Sequence, residues 1–189
     1  GSCHAQVHAF ADHNKALSHG VGGAEGRRNA PALSNLAWHS SFMHDGGINH
    51  IEVLQLEPIT DSIEMNLQLE AALRRIDSND EYRTSFQAVY GDDSISTAHL
   101  FKALAAFQLS LVSANAKYDQ MIRGEVSLSV SEEIGHDLFL LHCSSCHAPP
   151  LFSDFSFANN GIDTLYSDGG RGRITLAPED SGAFKVPSL

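Results

Sequence analysis

Cys143-Ser144-Ser145-Cys146-His147 is a complete C-x-x-C-H, and its reading decides the architecture. Two thiols three positions apart on one helical turn can each add to a vinyl group of a haem. The histidine that follows is then placed beneath the porphyrin as proximal iron ligand. Two alternatives compete: a buried helix turn with two unmodified cysteines, and half of a zinc site. A zinc site needs two further ligands at suitable spacing, and the chain has no second cysteine pair.

The flanks favour attachment of a c-type haem. Upstream, Ser129-Val130-Ser131-Glu132 has the form of a capping box. Ile134, Leu138 and Leu141 then recur at helical spacing, so a short amphipathic helix is expected to deliver the cysteines. Downstream, Ala148-Pro149-Pro150 stops the helix and turns the chain away.

Composition bounds the rest. A chain of 189 residues makes one domain or two small ones, and 42% hydrophobic residues suffice for a core. No apolar run approaches membrane-spanning length, so no membrane span is expected. The formal net charge of −11 argues against nucleic acid and fits small or basic redox partners. Three cysteines are an odd number, which speaks against a disulfide framework. Eleven histidines make iron ligation plausible at more than one place. Covalent haem implies export to the periplasm, so the sequence, which shows no signal peptide, reads as a mature or trimmed form.

Cys3-His4 has the last two letters of a second C-x-x-C-H whose first cysteine would lie just before residue 1. That reading explains the odd count, which an unmodified Cys3 does not. From His8 to Asn29 the chain is rich in His, Gly and small polar residues and reads as loop. His19, in Leu17-Ser18-His19-Gly20-Val21-Gly22-Gly23, could bring an imidazole onto a haem's open face; His8 and His13 compete for that role. The glycines do not form a phosphate loop, because no G-x-x-x-x-G-K-[ST] is present.

Residues 66 to 124 read as helix. Leu69, Leu73 and Ile76 mark one apolar stripe, Tyr82, Phe86 and Val89 a second, and Leu100, Leu104, Phe107 and Leu111 a third, with a break at Gly91-Asp92-Asp93. Gly124 to Leu128 is the best linker. Residues 148 to 183 are dense in Gly, Pro, Asp and Ser and are expected to wrap a haem as loops. Arg171, Arg173 and Lys185 could balance haem propionates or be solvated surface charges. A repeat supports two haems: Asn29-Ala30-Pro31-Ala32-Leu33 follows the first motif, and Lys185-Val186-Pro187-Ser188-Leu189 the second.

Several further stretches, taken with the haem motifs, carry a resemblance. They are Arg28-Asn29-Ala30-Pro31 through Trp38, Phe42-Met43-His44-Asp45-Gly46, Pro58-Ile59 through Glu64-Met65-Asn66, and Asp168-Gly169-Gly170-Arg171. The chain resembles the bacterial diheme cytochrome c peroxidase family, which includes the MauG-type enzymes, over nearly its whole length. The resemblance implies a mostly α-helical protein of two c-type cytochrome-like domains with long haem-wrapping loops. Residues 1–125 would form the peroxidatic domain and residues 126–189 the electron-transfer domain, each cut at its outer end.

The resemblance also implies roles. His4 would be the proximal ligand of the peroxidatic haem, with Cys3 as thioether site, and His19 the loop histidine that caps that iron at rest. Glu64 matches the distal glutamate that moves a proton between peroxide oxygens; read alone, it is equally a carboxylate at a helix N-terminus. Cys143, Cys146 and His147 would hold the electron-transfer haem. Asn29 would contribute to a calcium ion between the domains. Substrate and partners would be H2O2 and a small cytochrome c or cupredoxin donor, with a homodimer as the expected assembly. A MauG-like oxidase and a purely electron-transferring cytochrome are the alternatives. His44 stands where most relatives carry a tryptophan between the haems.

Overall fold

The computed structural model describes residues 3–13 and 15–189, so Gly1-Ser2, just ahead of the Cys3-His4 half-motif, lie outside the described residues. The protein is mostly helical, and its one two-stranded sheet is four residues in all among those described. It packs as two compact units, Gly1–Ala37 with His50–Leu111, and Trp38–Asn49 with Val112–Leu189. The boundary expected at 125/126 falls instead in the turn that joins two helices of the second unit.

The first unit opens with loop, as the small polar composition suggests, and then builds five helices. They are α1 (Ile51–Leu54), α2 (Leu56–Thr60), α3 (Leu69–Asp77), α4 (Asp80–Tyr90) and α5 (Thr97–Leu109). Its core joins Ile59 of α2 to Leu100 and Phe101 of α5, with Leu69, Leu73 and Ile76 of α3 packed against them. The α3 stripe therefore faces inward as its spacing predicts. The α4 stripe does not: Tyr82 and Val89 are exposed, and only Phe86 and Tyr90 are partly covered. On α5 the buried residues are Leu100, Phe101, Ala105 and Gln108; of the expected stripe Leu100 is buried and Leu104 packs on the core, while Phe107 is exposed. That helix is apolar nearly all round, so spacing alone does not choose its inner face.

Helix ends follow local chemistry. Asn79 Oδ1 accepts from the Glu81 and Tyr82 amides to start α4, and Gly91, at φ 78°, ends it. Ser96 caps α5 by accepting from the His99 amide, and His99 Nδ1 accepts from the Ser96 amide in return.

The second unit holds α6 (Lys117–Ile122), α7 (Val130–His142), β1 (Phe157–Ala158), α8 (Gly172–Thr175) and β2 (Phe184–Lys185). The capping box forms as expected, with Ser129 and Glu132 paired both ways and Lys117 of α6 bound to Glu132. Ile134, Leu138 and Leu141 do share one helix, but all three are exposed. The α-helix closes at His142, so the C-x-x-C-H lies in the turns just beyond it, held by the Cys143 amide to Phe139 O and the His147 amide to Cys143 O. Strands β1 and β2 pair antiparallel, Phe157 with Lys185 and Ala158 with Phe184. No helix among the described residues is long and apolar enough to cross a membrane.

Candidate haem sites

In the second unit a cavity of about 630 Å³ is lined by Cys146, His147, Tyr166, Phe184, Lys185 and Pro187, among others. Cys143 and Cys146 are exposed and are not joined in a disulfide. The His147 ring is fixed by its Nδ1, which lies 3.0 Å from Pro187 O and 3.2 Å from Phe152 O. A carbonyl oxygen only accepts, so Nδ1 carries the proton and Nε2 keeps its lone pair. This is how a metal-ligating histidine is held by its outer partners.

The first unit repeats the arrangement. His4 Nδ1 donates to Phe10 O at 2.5 Å, which again leaves Nε2 with its lone pair. Phe10 and Phe152 are both left-handed, at φ 61° and 52°, so each turns its carbonyl back toward its histidine. The P-x-L segments return to the same place in both units. The Leu33 amide donates to Ala9 O, and Ser188 Oγ to Leu151 O, in each case the residue before the phenylalanine. Ala30 O accepts from the Asp12 amide, and Val186 O from Ser153 Oγ. In both units the P-x-L segment thus bonds back to the stretch that holds the histidine, through backbone donors in the first and side-chain hydroxyls in the second. The donor set of two thiols, one oriented imidazole and an adjoining cavity in the second unit fits a c-type haem. Cys3 with an oriented His4 fits the same chemistry in the first.

His19, Gly20, Cys3 and Glu64 come together in the first unit. Cys3 Sγ lies 3.4 Å from His19 O, and the Val21 amide donates to Glu64 O at 2.7 Å. Gly20 is needed there, since a Cβ would collide with the carbonyl oxygens of Ile63 and Glu64. His19 Nδ1 is buried with no hydrogen-bond partner among the described residues, while its Nε2 lies 3.8 Å from Glu25. Partial burial, then the neighbouring Asp61 and Glu57 carboxylates, push the Glu64 carboxyl above its ordinary range. His8 and His13 stack on each other, with ring centroids 3.8 Å apart. Asn29 donates its amide to Asp12 O and Lys15 O, closing the loop between them. No group of three His, Cys, Asp or Glu side chains converges on a metal site among the described residues.

The three cations named for propionates separate. Arg171 donates to the carbonyls of Asp45 and Gly46 and lies over the Phe157 ring, 4.4 Å from its centroid. Gly46 makes that contact possible, because a Cβ at its φ of 67° would strike Phe157. Arg173 is half exposed and 4.0 Å from Asp45. Lys185 lines the cavity and donates to Ser41 O at 2.8 Å and to His39 Nδ1 at 3.2 Å. The Lys185 amide also binds His44 O. Burial and the Lys185 charge push the His39 imidazole down to about 4. Sequence reading missed His39, because no spacing pattern joins two residues 146 positions apart. It also passed over the buried Gln55 and Gln108, which bond side chain to side chain at 2.8 Å. Glutamines on helices carry no pattern that marks them as internal.

Comparison with known proteins agrees with this geometry. The family model for di-haem cytochrome c peroxidase matches residues 1–127. The methylamine utilization protein MauG of Methylophilus methylotrophus is 34% identical over 198 residues, covering 100% of this chain and 57% of that protein. Cytochrome c551 peroxidase of Nitrosomonas europaea is 28% identical over 194 residues, covering 100% of this chain and 58% of its own. The chain therefore spans less than two thirds of the length of these relatives. Among solved structures, a MauG-like protein associated with microbial copper homeostasis superposes with a TM-score of 0.87 at 29% identity, over 99% of this chain and 61% of that one. The diheme peroxidase BthA of Burkholderia thailandensis E264 shares the fold, with a TM-score of 0.83 at 21% identity, over 99% of this chain and 59% of its own. By its motifs and these matches, the chain belongs to the di-haem cytochrome c peroxidase family, a family of oxidoreductases.

Proposed function

We propose that the protein reduces hydrogen peroxide to water, H2O2 + 2e⁻ + 2H⁺ → 2H2O, with electrons from a small periplasmic cytochrome c or cupredoxin. The observation that carries this reading is the duplicated histidine geometry, in which His4 and His147 each donate Nδ1–H to a carbonyl and keep Nε2 for a metal. When bound, the haem at Cys3 and His4 supplies an iron that peroxide can occupy, and the haem at Cys143, Cys146 and His147 supplies electrons. Each compact unit is read as one cytochrome-like domain.

Glu64 takes the proton from peroxide and returns it to the leaving oxygen. Its raised carboxyl suits a group that must both accept and release a proton. His19, on the loop fixed to Glu64 through Val21, covers the open side of the first haem at rest. Asn29 contributes to a calcium ion in the assembled protein, which works in the periplasm as a homodimer. A MauG-like oxidase acting on a protein or organic substrate is the second reading, favoured by the 34% identity to two MauG proteins.

Pyridine haemochrome and intact mass on one preparation, followed by peroxide turnover, test the proposal. Two covalent haems with turnover abolished by Glu64→Gln are expected. Two haems with no peroxide consumption under any donor would overturn the peroxidase reading in favour of the oxidase or a simple electron carrier.

A further inference from the structure

Lys185 is a half-buried cation with two neutral acceptors for its three N–H donors. An ammonium carries three N–H donors. Two go to neutral acceptors, Ser41 O and His39 Nδ1. The nearby Asp45 carboxylate favours its charge through space, but no carboxylate of the described residues lies within ion-pair distance of it. Burying a charge without a counter-ion is costly, and the lysine is held down to about 8 for that reason. The surroundings nevertheless hold it in place: β2 fixes its backbone against β1, and its amide binds His44 O. Of the residues that line the cavity with Cys146 and His147, Lys185 is the one lysine or arginine, whereas Asp163 and Asp168 bring carboxylates.

We infer that Lys185 is the electrostatic positioning residue of the Cys143–Cys146–His147 site, giving its third N–H to a carboxylate of the bound cofactor and holding that haem's reduction potential up. The inference rests on the haem reading of this site. It gives the role considered for three cations to one of them. Arg171 is committed to the Asp45–Gly46 turn and Phe157, and Arg173 stays half in solvent. Neither lines the cavity. His39 takes part because its neutral Nδ1 accepts from the ammonium without repelling it. A fixed positive charge beside a haem favours the ferrous form, which has one positive charge fewer than the ferric form. Its removal also leaves the cofactor carboxylate without a counter-charge.

The test is a potentiometric titration of the haem on Cys143 and Cys146, followed in a Cys3→Ser background so that one c-type haem is observed. Lys185→Gln keeps donors for Ser41 O and drops the charge. Lys185→Arg keeps the charge, and Lys185→Met drops both. Gln and Met variants are expected to shift the ferric-to-ferrous equilibrium about tenfold toward ferric, about 59 mV for one electron, with Arg close to the parent. Haem content and the Soret spectrum of each variant show that the site is intact. A Gln variant at the parent potential, with only Met shifted, would make Lys185 a structural residue and overturn the inference. Loss of haem in the parent itself would overturn the haem reading of the site, and with it this inference. A loaded parent with unshifted Gln and Met variants overturns the inference alone.

Discussion

Nδ1 of His147 sits 3.0 Å from the carbonyl oxygen of Pro187, forty residues further along the chain. The bond ties the C-x-x-C-H to the chain just after β2 and leaves Nε2 with its lone pair, the nitrogen proposed to bind the iron. His147→Ala should keep a haem attached through Cys143 and Cys146, visible in intact mass, while its visible spectrum changes. Donor-driven peroxide turnover should fall by more than the about 10- to 100-fold typical when an outer-shell partner of a metal ligand is lost. An unchanged spectrum would place the ligand elsewhere.

Glu64→Gln should lower peroxide turnover by about 10²- to 10⁴-fold with haem content unaltered. The parent has a carboxyl held above the ordinary range, so its kcat/KM should fall as the pH drops through a value above 4.5, where the base becomes protonated. In the variant that acid limb should disappear. A pH profile measured with stopped-flow mixing separates the two.

His39 makes stability depend on pH in one direction. Its imidazole titrates at about 4 in the folded protein against 6.5 for an ordinary histidine. Between those values the unfolded chain binds more protons, so stability is complete above 6.5 and declines as the pH falls toward 4. With allowance for the partial exposure of the ring, the loss should be about 1 kcal/mol. His39→Phe, which keeps the ring contacts with Phe42 and Phe155, should flatten the slope in urea unfolding at pH 7 and pH 5.

Phe101 on α5 is 8% exposed and sits at the centre of the first unit's core with Ile59 and Leu100. Phe101→Ala should cost about 3 kcal/mol in denaturant unfolding. Phe107→Ala, on the exposed face expected from spacing to be internal, should cost markedly less, through its edge contact with Phe10.

What could be read from sequence depended on how local the cause was. The capping box at Ser129 and the break at Gly91 are set by residues within a few positions, and each is found where spacing put it, whereas the C-x-x-C-H at Cys143 to His147 lies just past the helix expected to carry it. The inner face of α5 was legible at Leu100 and Leu104 but not at Phe101 and Ala105, because apolar residues surround that helix and only its neighbours select a side. The exposed stripe on α4 was misleading for the opposite reason: the pattern is amphipathic, but α3 covers little of it. The P-x-L repeat was legible as letters. Its meaning, a carbonyl returned to a histidine, required two left-handed phenylalanines that no motif announces. The Lys185–His39 bond is a product of tertiary folding alone.

The doubled histidine–phenylalanine arrangement has a consequence for variation. A local plan that recurs in one chain leaves the periphery of each occurrence to vary while the histidine–carbonyl bond stays the same. In the first unit the surroundings include a loop, His19 and Gly20 laid against Glu64, the group proposed to move protons. In the second they include a half-buried cation, Lys185, held by Ser41 O and His39 Nδ1. Specialisation in this chain therefore resides in what surrounds the two histidines rather than in how they are held.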